Sequence, residues 1–148
     1  MKKLSVLLGA LLLSASPVLA DDLVYLECEG KSVTTIKELK SNQILKKEET
    51  TETTHHKFDL VNSRLMSADN PQWEEVKIVD GVVVLDEEST EDGFDIKVNA
   101  SWRIVPPGRF TADGLFINDT TSTTFKARGM CKGIDESEFE KALKEAQS

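Results

Sequence analysis

The chain is expected to be all-β with one C-terminal helix, an antiparallel meander that closes as a small lipocalin-like barrel or packs as a sandwich. Three observations predict this. Apolar and polar residues alternate with period two over long stretches, turn residues punctuate these stretches, and no helical periodicity intervenes before residue 135. Eight or nine short strands joined without helices are the signature of a closed or double antiparallel sheet.

The elements follow in chain order. Lys2-Lys3, the apolar run Leu4–Leu13 and the small residues Val18 and Ala20 have the three-part layout of a secretory signal peptide. Residues 1–20 are read as that leader, with the mature chain starting at Asp21. Its apolar run is too short for a permanent membrane anchor, so no span is expected after cleavage. The body, 21–134, is one antiparallel β domain, and 135–148 is the terminal helix.

Within the body, Leu23–Glu29 reads as a strand with Val24, Leu26 and Cys28 on one face. Gly30-Lys31 is expected to turn it into a second strand, Ser32–Leu39. Ile44–Thr51 and His55–Val61 read as a polar hairpin with Phe58 and Leu60 inward. Val76–Val79 leads through Asp80-Gly81, a strong hairpin signal, into Val82–Leu85. The clearest strand is Phe94–Ile104, where Phe94, Ile96, Val98, Ala100, Trp102 and Ile104 alternate with polar residues and are expected to face a filled core. Pro106-Pro107-Gly108 stops it. Two short strands, Arg109–Ala112 and Leu115–Ile117, follow, and Thr121–Cys131 is the last. In the helix, Asp135 and Glu138 form a capping-box pair, and Phe139, Ala142, Leu143 and Ala146 make one apolar stripe.

The chain has two cysteines. In an exported protein an even pair is bonded by default, so Cys28 and Cys131 are expected to join the first strand to the last.

Charge narrows the partners. The 148 residues carry 18 basic and 26 acidic side chains, a formal −8, which becomes −10 if Lys2 and Lys3 leave with the leader. Nucleic acid and anionic membrane surfaces are therefore poor partners.

Candidate chemistry is sparse. His55 and His56 are adjacent, and on a strand they point to opposite faces, so they do not readily share a metal, and a solvated strand is expected there. The acidic run Asp86–Asp92 before Gly93 resembles the start of a calcium loop, but Asn99 stands where the closing Glu belongs, so a solvated hairpin tip is expected instead. No nucleophile-elbow motif and no thiol beside a base is present, so no catalytic residue, metal ligand or cofactor is assigned and the chain is read as a non-enzyme. Tyr25 and Trp73 are the candidate surface-binding aromatics, Trp73 in the turn-rich segment Asp69–Trp73.

Cys28-Glu29-Gly30, Phe58-Asp59-Leu60, Arg103-Ile104 with Gly108 and Phe110, and Phe125–Cys131 together resemble small exported, single-disulfide bacterial β-proteins of unknown function. The signal-peptide layout with its compact, bacterial-looking Met-Lys-Lys start implies a periplasmic or secreted protein. The Ser-Gly-rich inhibitory loop of the C-type lysozyme inhibitors, which are also small stapled barrels, is not reproduced by Thr111-Ala112-Asp113-Gly114. Three functions are compatible with these residues: an interaction module for a protein or envelope component, which is preferred; a lipocalin-like carrier of a small apolar ligand; or a hydrolase with unassigned acids. The carrier needs a hollow lined by small residues, whereas the inward set Phe58, Phe94, Trp102, Phe110 and Phe125 tends to fill a small barrel.

Overall fold

The computed structural model describes residues 22–148; the leader assigned to residues 1–20 lies outside the described residues. Nine strands form one sheet: β1 (Leu23–Glu38), β2 (Ile44–Asp59), β3 (Arg64–Ser67), β4 (Asn70–Glu75), β5 (Lys77–Val79), β6 (Val82–Glu91), β7 (Phe94–Ile104), β8 (Pro107–Ile117) and β9 (Thr121–Gly133). The order is β4-β3-β2-β1-β9-β8-β7-β6-β5, and every pairing is antiparallel. The sheet curls into a nearly closed barrel. Its two edges, β4 and β5, are separated in the chain by Val76 alone, so the backbone passes directly from one edge to the other. Val76 is buried there, and its N–H donates to the Ser63 carbonyl at 3.0 Å.

Cys28 and Cys131 are bonded, and they stand directly opposite each other on β1 and β9. The disulfide thus staples the seam between the first strand and the last. Asp80-Gly81 makes the expected hairpin, with φ positive at both positions (51° and 74°) as a tight two-residue turn demands.

Four strand readings are corrected. Gly30-Lys31 is not a turn; β1 runs through it. Residues 44–59 are one strand, not a hairpin, and β2 turns back against β1 through Leu39–Gln43. No glycine, proline or asparagine interrupts β2, and its threonines favour extended backbone. Residues 107–117 are also one strand. Gly114 sits within it because a Cβ there would come within 3.1 Å of the Phe116 ring. The acids Asp86–Glu91 belong to β6, and the hairpin tip is only Asp92-Gly93.

Helix α1 (Glu136–Gln147) begins with both arms of the capping box: the Glu138 N–H donates to Asp135 at 2.9 Å, and the Asp135 N–H donates to Glu138 at 3.1 Å. The helix lies outside the barrel on β1 and β2. Phe139 is fully buried under it, and Gln147 Nε2 donates to the Ala68 carbonyl.

The core is filled at one end only. Leu26, Phe58, Leu65, Val83, Trp102 and Ile104 pack there, with the Phe58 and Trp102 rings edge to face at 5.9 Å. Of the six inward residues of β7, Ala100, Trp102 and Ile104 are buried, but Phe94, Ile96 and Val98 are only partly covered. The expectation that all six face a filled core is wrong for these three. Strands β3, β4 and β5 have only 4, 6 and 3 residues, against 16 each in β1 and β2. The wall they complete stops short of Val98, and the facing residues on β6 are Glu87, Ser89 and Glu91.

Candidate functional site

The filled end leaves a hollow at mid-barrel. Its volume is about 130 Å³. Trp102 forms the floor, and Phe110 and Phe125 form aromatic walls. Space is made by small inward residues, Gly30, Ala112 and Ala127, at the height where bulkier side chains would meet. Ser32, Thr54 and His56 supply the polar atoms, and Glu52 stands at the edge.

Local sequence explains this lining. The register set by Cys28 opposite Cys131 puts Gly30 opposite Gly129 one inward rung further on. The Phe110 ring lies over both: a Cβ on Gly30 would fall 2.6 Å from Phe110 Cζ, and one on Gly129 would fall 2.5 Å from Phe110 Cε1. An aromatic ring covering paired strand glycines is a known device for holding a curved sheet together. Ser32 opposite Ala127, and Ala100 opposite Ala112, continue the run of small residues.

His56 is the buried polar centre. Only 7% of its surface is exposed. Its Nδ1 bonds the Ser67 hydroxyl at 3.0 Å and its Nε2 bonds the Thr54 hydroxyl at 3.0 Å, so both ring nitrogens are satisfied. Burial pushes its pKa down to about 4, the neighbouring His55 adds to this, and Asp69 opposes it. The ring is therefore neutral at pH 7 and packs on Trp102 at 5.4 Å. A hydrolytic base of the usual kind is oriented by a carboxylate; His56 is held by two hydroxyls. Ser32 and Thr50 also bond each other, at 2.6 Å. The hollow is thus largely apolar, its Ser32 and Thr54 hydroxyls bonded to Thr50 and His56, with Glu52 at its edge.

The two histidines do point to opposite faces. His55 lies outside, 3.2 Å from Glu27, which also receives Lys132 at 2.8 Å. Those hydrogen bonds, from Lys132 first, hold the Glu27 carboxyl below its usual range. His56 is not on a solvated strand face as expected, because strand alternation drives it into the barrel. Among the described residues no group of three His, Cys, Asp or Glu side chains is placed to hold a metal.

The two candidate aromatics lie outside the barrel, away from the hollow. Tyr25 is half-buried beneath α1, 5.7 Å from the Phe139 ring, and burial raises its hydroxyl pKa. Trp73 stands on β4 rather than in a loop and is also half-buried. The Arg64 guanidinium lies 4.2 Å from its centroid and the Lys57 ammonium 5.6 Å, the latter also 5.7 Å from Tyr25. These cations already occupy the ring faces. A larger depression, about 340 Å³, lies on the outer surface of β6–β8 between Glu88, Asp95, Lys97 and Leu115. It is a furrow crossed by the exposed Lys97–Glu88 ion pair, not an enclosure.

Sequence reasoning missed the hollow, although Gly30, Ala112, Ala127 and Gly129 on inward parity were its available signal. No helix among the described residues is long and apolar enough to cross a membrane. Comparison with protein families, with curated proteins and with solved structures found no match to this chain.

Proposed function

We propose that this protein binds a small apolar molecule in the mid-barrel hollow and carries out no chemistry on it. The observation that supports this is the lining: three aromatic side chains, small residues that leave about 130 Å³ between them, and hydroxyls that already have partners within the protein, Ser32 on Thr50 and Thr54 on His56. An engineered apolar cavity of about 150 Å³ accepts benzene or xenon, which sets the size class of ligand. Larger ligands would leave part of themselves over Phe94, Ile96 and Val98. Export to the periplasm or the medium is supported by the Cys28–Cys131 disulfide and by the leader-like residues 1–20.

Native mass spectrometry of protein purified from its own host tests this reading. Retained small-molecule mass, lost on denaturation, is expected. Only bare protein, from several growth conditions, would count against it. A second role, docking on another protein or an envelope component, is favoured by a separate feature, the free edge of β2.

A further inference from the structure

From the height of the hollow onward, the sheet has unpaired edges. β2 pairs with β1 along its length, but its other side pairs with β3 only from His56 to Asp59. Ile44–Thr54 has no strand on that side among the described residues. β6 likewise pairs with β5 only from Val82 to Val84, leaving Leu85–Glu91 open.

The ladder fixes which amides are free. Cys28 and Cys131 approach to 4.0 Å between Cα atoms, which marks a rung without mutual hydrogen bonds. The Cys28 N–H and C=O therefore turn toward Thr54 on β2. Counting along β2, the N–H and C=O groups of Lys47, Glu49, Thr51 and Thr53 turn to the open side. His55 follows the same parity, and its carbonyl does accept a bond from across the gap, from the Ala68 N–H at 3.0 Å. The open side of β2 is thus a row of donors and acceptors able to pair with an added strand.

Charge names the occupant. On the inward face, half-buried Ile36, Ile96, Val98, Phe116 and Phe125 form an apolar floor. Glu48 and Glu52 stand on the β2 side of it and Glu87 and Glu91 on the β6 side. Lys46 is the one inward cation on these edges, and it pairs with Glu48 at 3.3 Å. Arginine or lysine side chains reaching inward from an added strand would lay their stems on the floor and their charges against the glutamates. We propose that an extended basic segment of a partner protein, with Arg or Lys at alternate positions, adds as a strand to the open edge of β2.

The test uses a synthetic peptide alternating arginine and threonine, beside an alternating glutamate–threonine peptide and a copy of the basic peptide N-methylated at alternate amides. Binding of the basic peptide alone is expected, with slowed amide exchange at Thr51 and Thr53. Glu48→Lys with Glu87→Lys should weaken it about tenfold, since each reversal loses a surface attraction and gains a repulsion. Failure of the basic peptide to bind would overturn the proposal. So would binding that survives N-methylation or leaves Thr51 and Thr53 unprotected, because the contact would then be electrostatic and not a strand pairing.

Discussion

Gly30 lies directly opposite Gly129 across the β1–β9 ladder, two residues along each strand from the disulfide, with the Phe110 ring over both. A side chain at either glycine meets that ring and a backbone carbonyl, Arg128 O for Gly30 and Glu29 O for Gly129. Gly129→Ala should therefore lower stability by about 1–3 kcal/mol, the usual cost of overpacking. In a Phe110→Ala background, itself less stable, Gly129→Ala should cost less, because one of the two collisions is gone while the carbonyl contact stays. A double-mutant cycle by urea unfolding measures the coupling, and strict additivity would show that the ring does not rest on the glycines.

The disulfide closes a sequence separation of 103 residues. Chain-entropy arguments assign such a loop roughly 4–5 kcal/mol. Cys28→Ala with Cys131→Ala should melt at a lower temperature yet keep its β-sheet circular dichroism. Thiol titration of the denatured unmodified protein should find none reactive.

Burial of neutral His56 makes stability depend on pH with a definite sign. Its pKa is about 4 in the fold against 6.5 outside it. The unfolded chain binds the extra proton between these values, so stability is complete above pH 6.5 and falls as the pH drops toward 4. The loss amounts to about 3 kcal/mol. His56→Phe should flatten this window in pH-dependent urea unfolding. Asp59 acts elsewhere: Asn62 and Arg64 hold its carboxyl down to about 2, so its contribution is present above pH 3.8 and is lost below that.

The division of β7 gives a contrast within one strand. Trp102→Ala, in the filled end, should cost about 3–5 kcal/mol. Ile96→Ala, beyond the closed wall, should cost about 1 kcal/mol or less, because its side chain remains partly in water. Equal losses by thermal unfolding would mean that the barrel is packed along its whole length.

Much of the fold was legible because it rests on local rules. The alternation in Phe94–Ile104, the Asp80-Gly81 turn, the Asp135–Glu138 cap and the cysteine pair all act over a few residues or by simple chemistry. Two of the errors share one cause. Gly30 and Gly114 look like breaks when read along the chain, but each makes room for an aromatic ring brought in by another strand or another rung. The hollow was illegible for a related reason. It depends on how far β3, β4 and β5 extend beside β7, and periodicity within β7 carries no record of its neighbours' lengths.

Apolar-probe binding, read as thermal stabilisation, tests the hollow barrel most directly. Benzene should raise the melting temperature in a saturable way, as any ligand of the native state does. Ala127→Leu, which fills the space between Trp102 and Phe125, should abolish that rise while keeping or increasing the melting temperature of the free protein. No benzene-dependent shift in the unmodified protein, or a shift that Ala127→Leu leaves intact, would contradict a ligand site in the middle of the barrel.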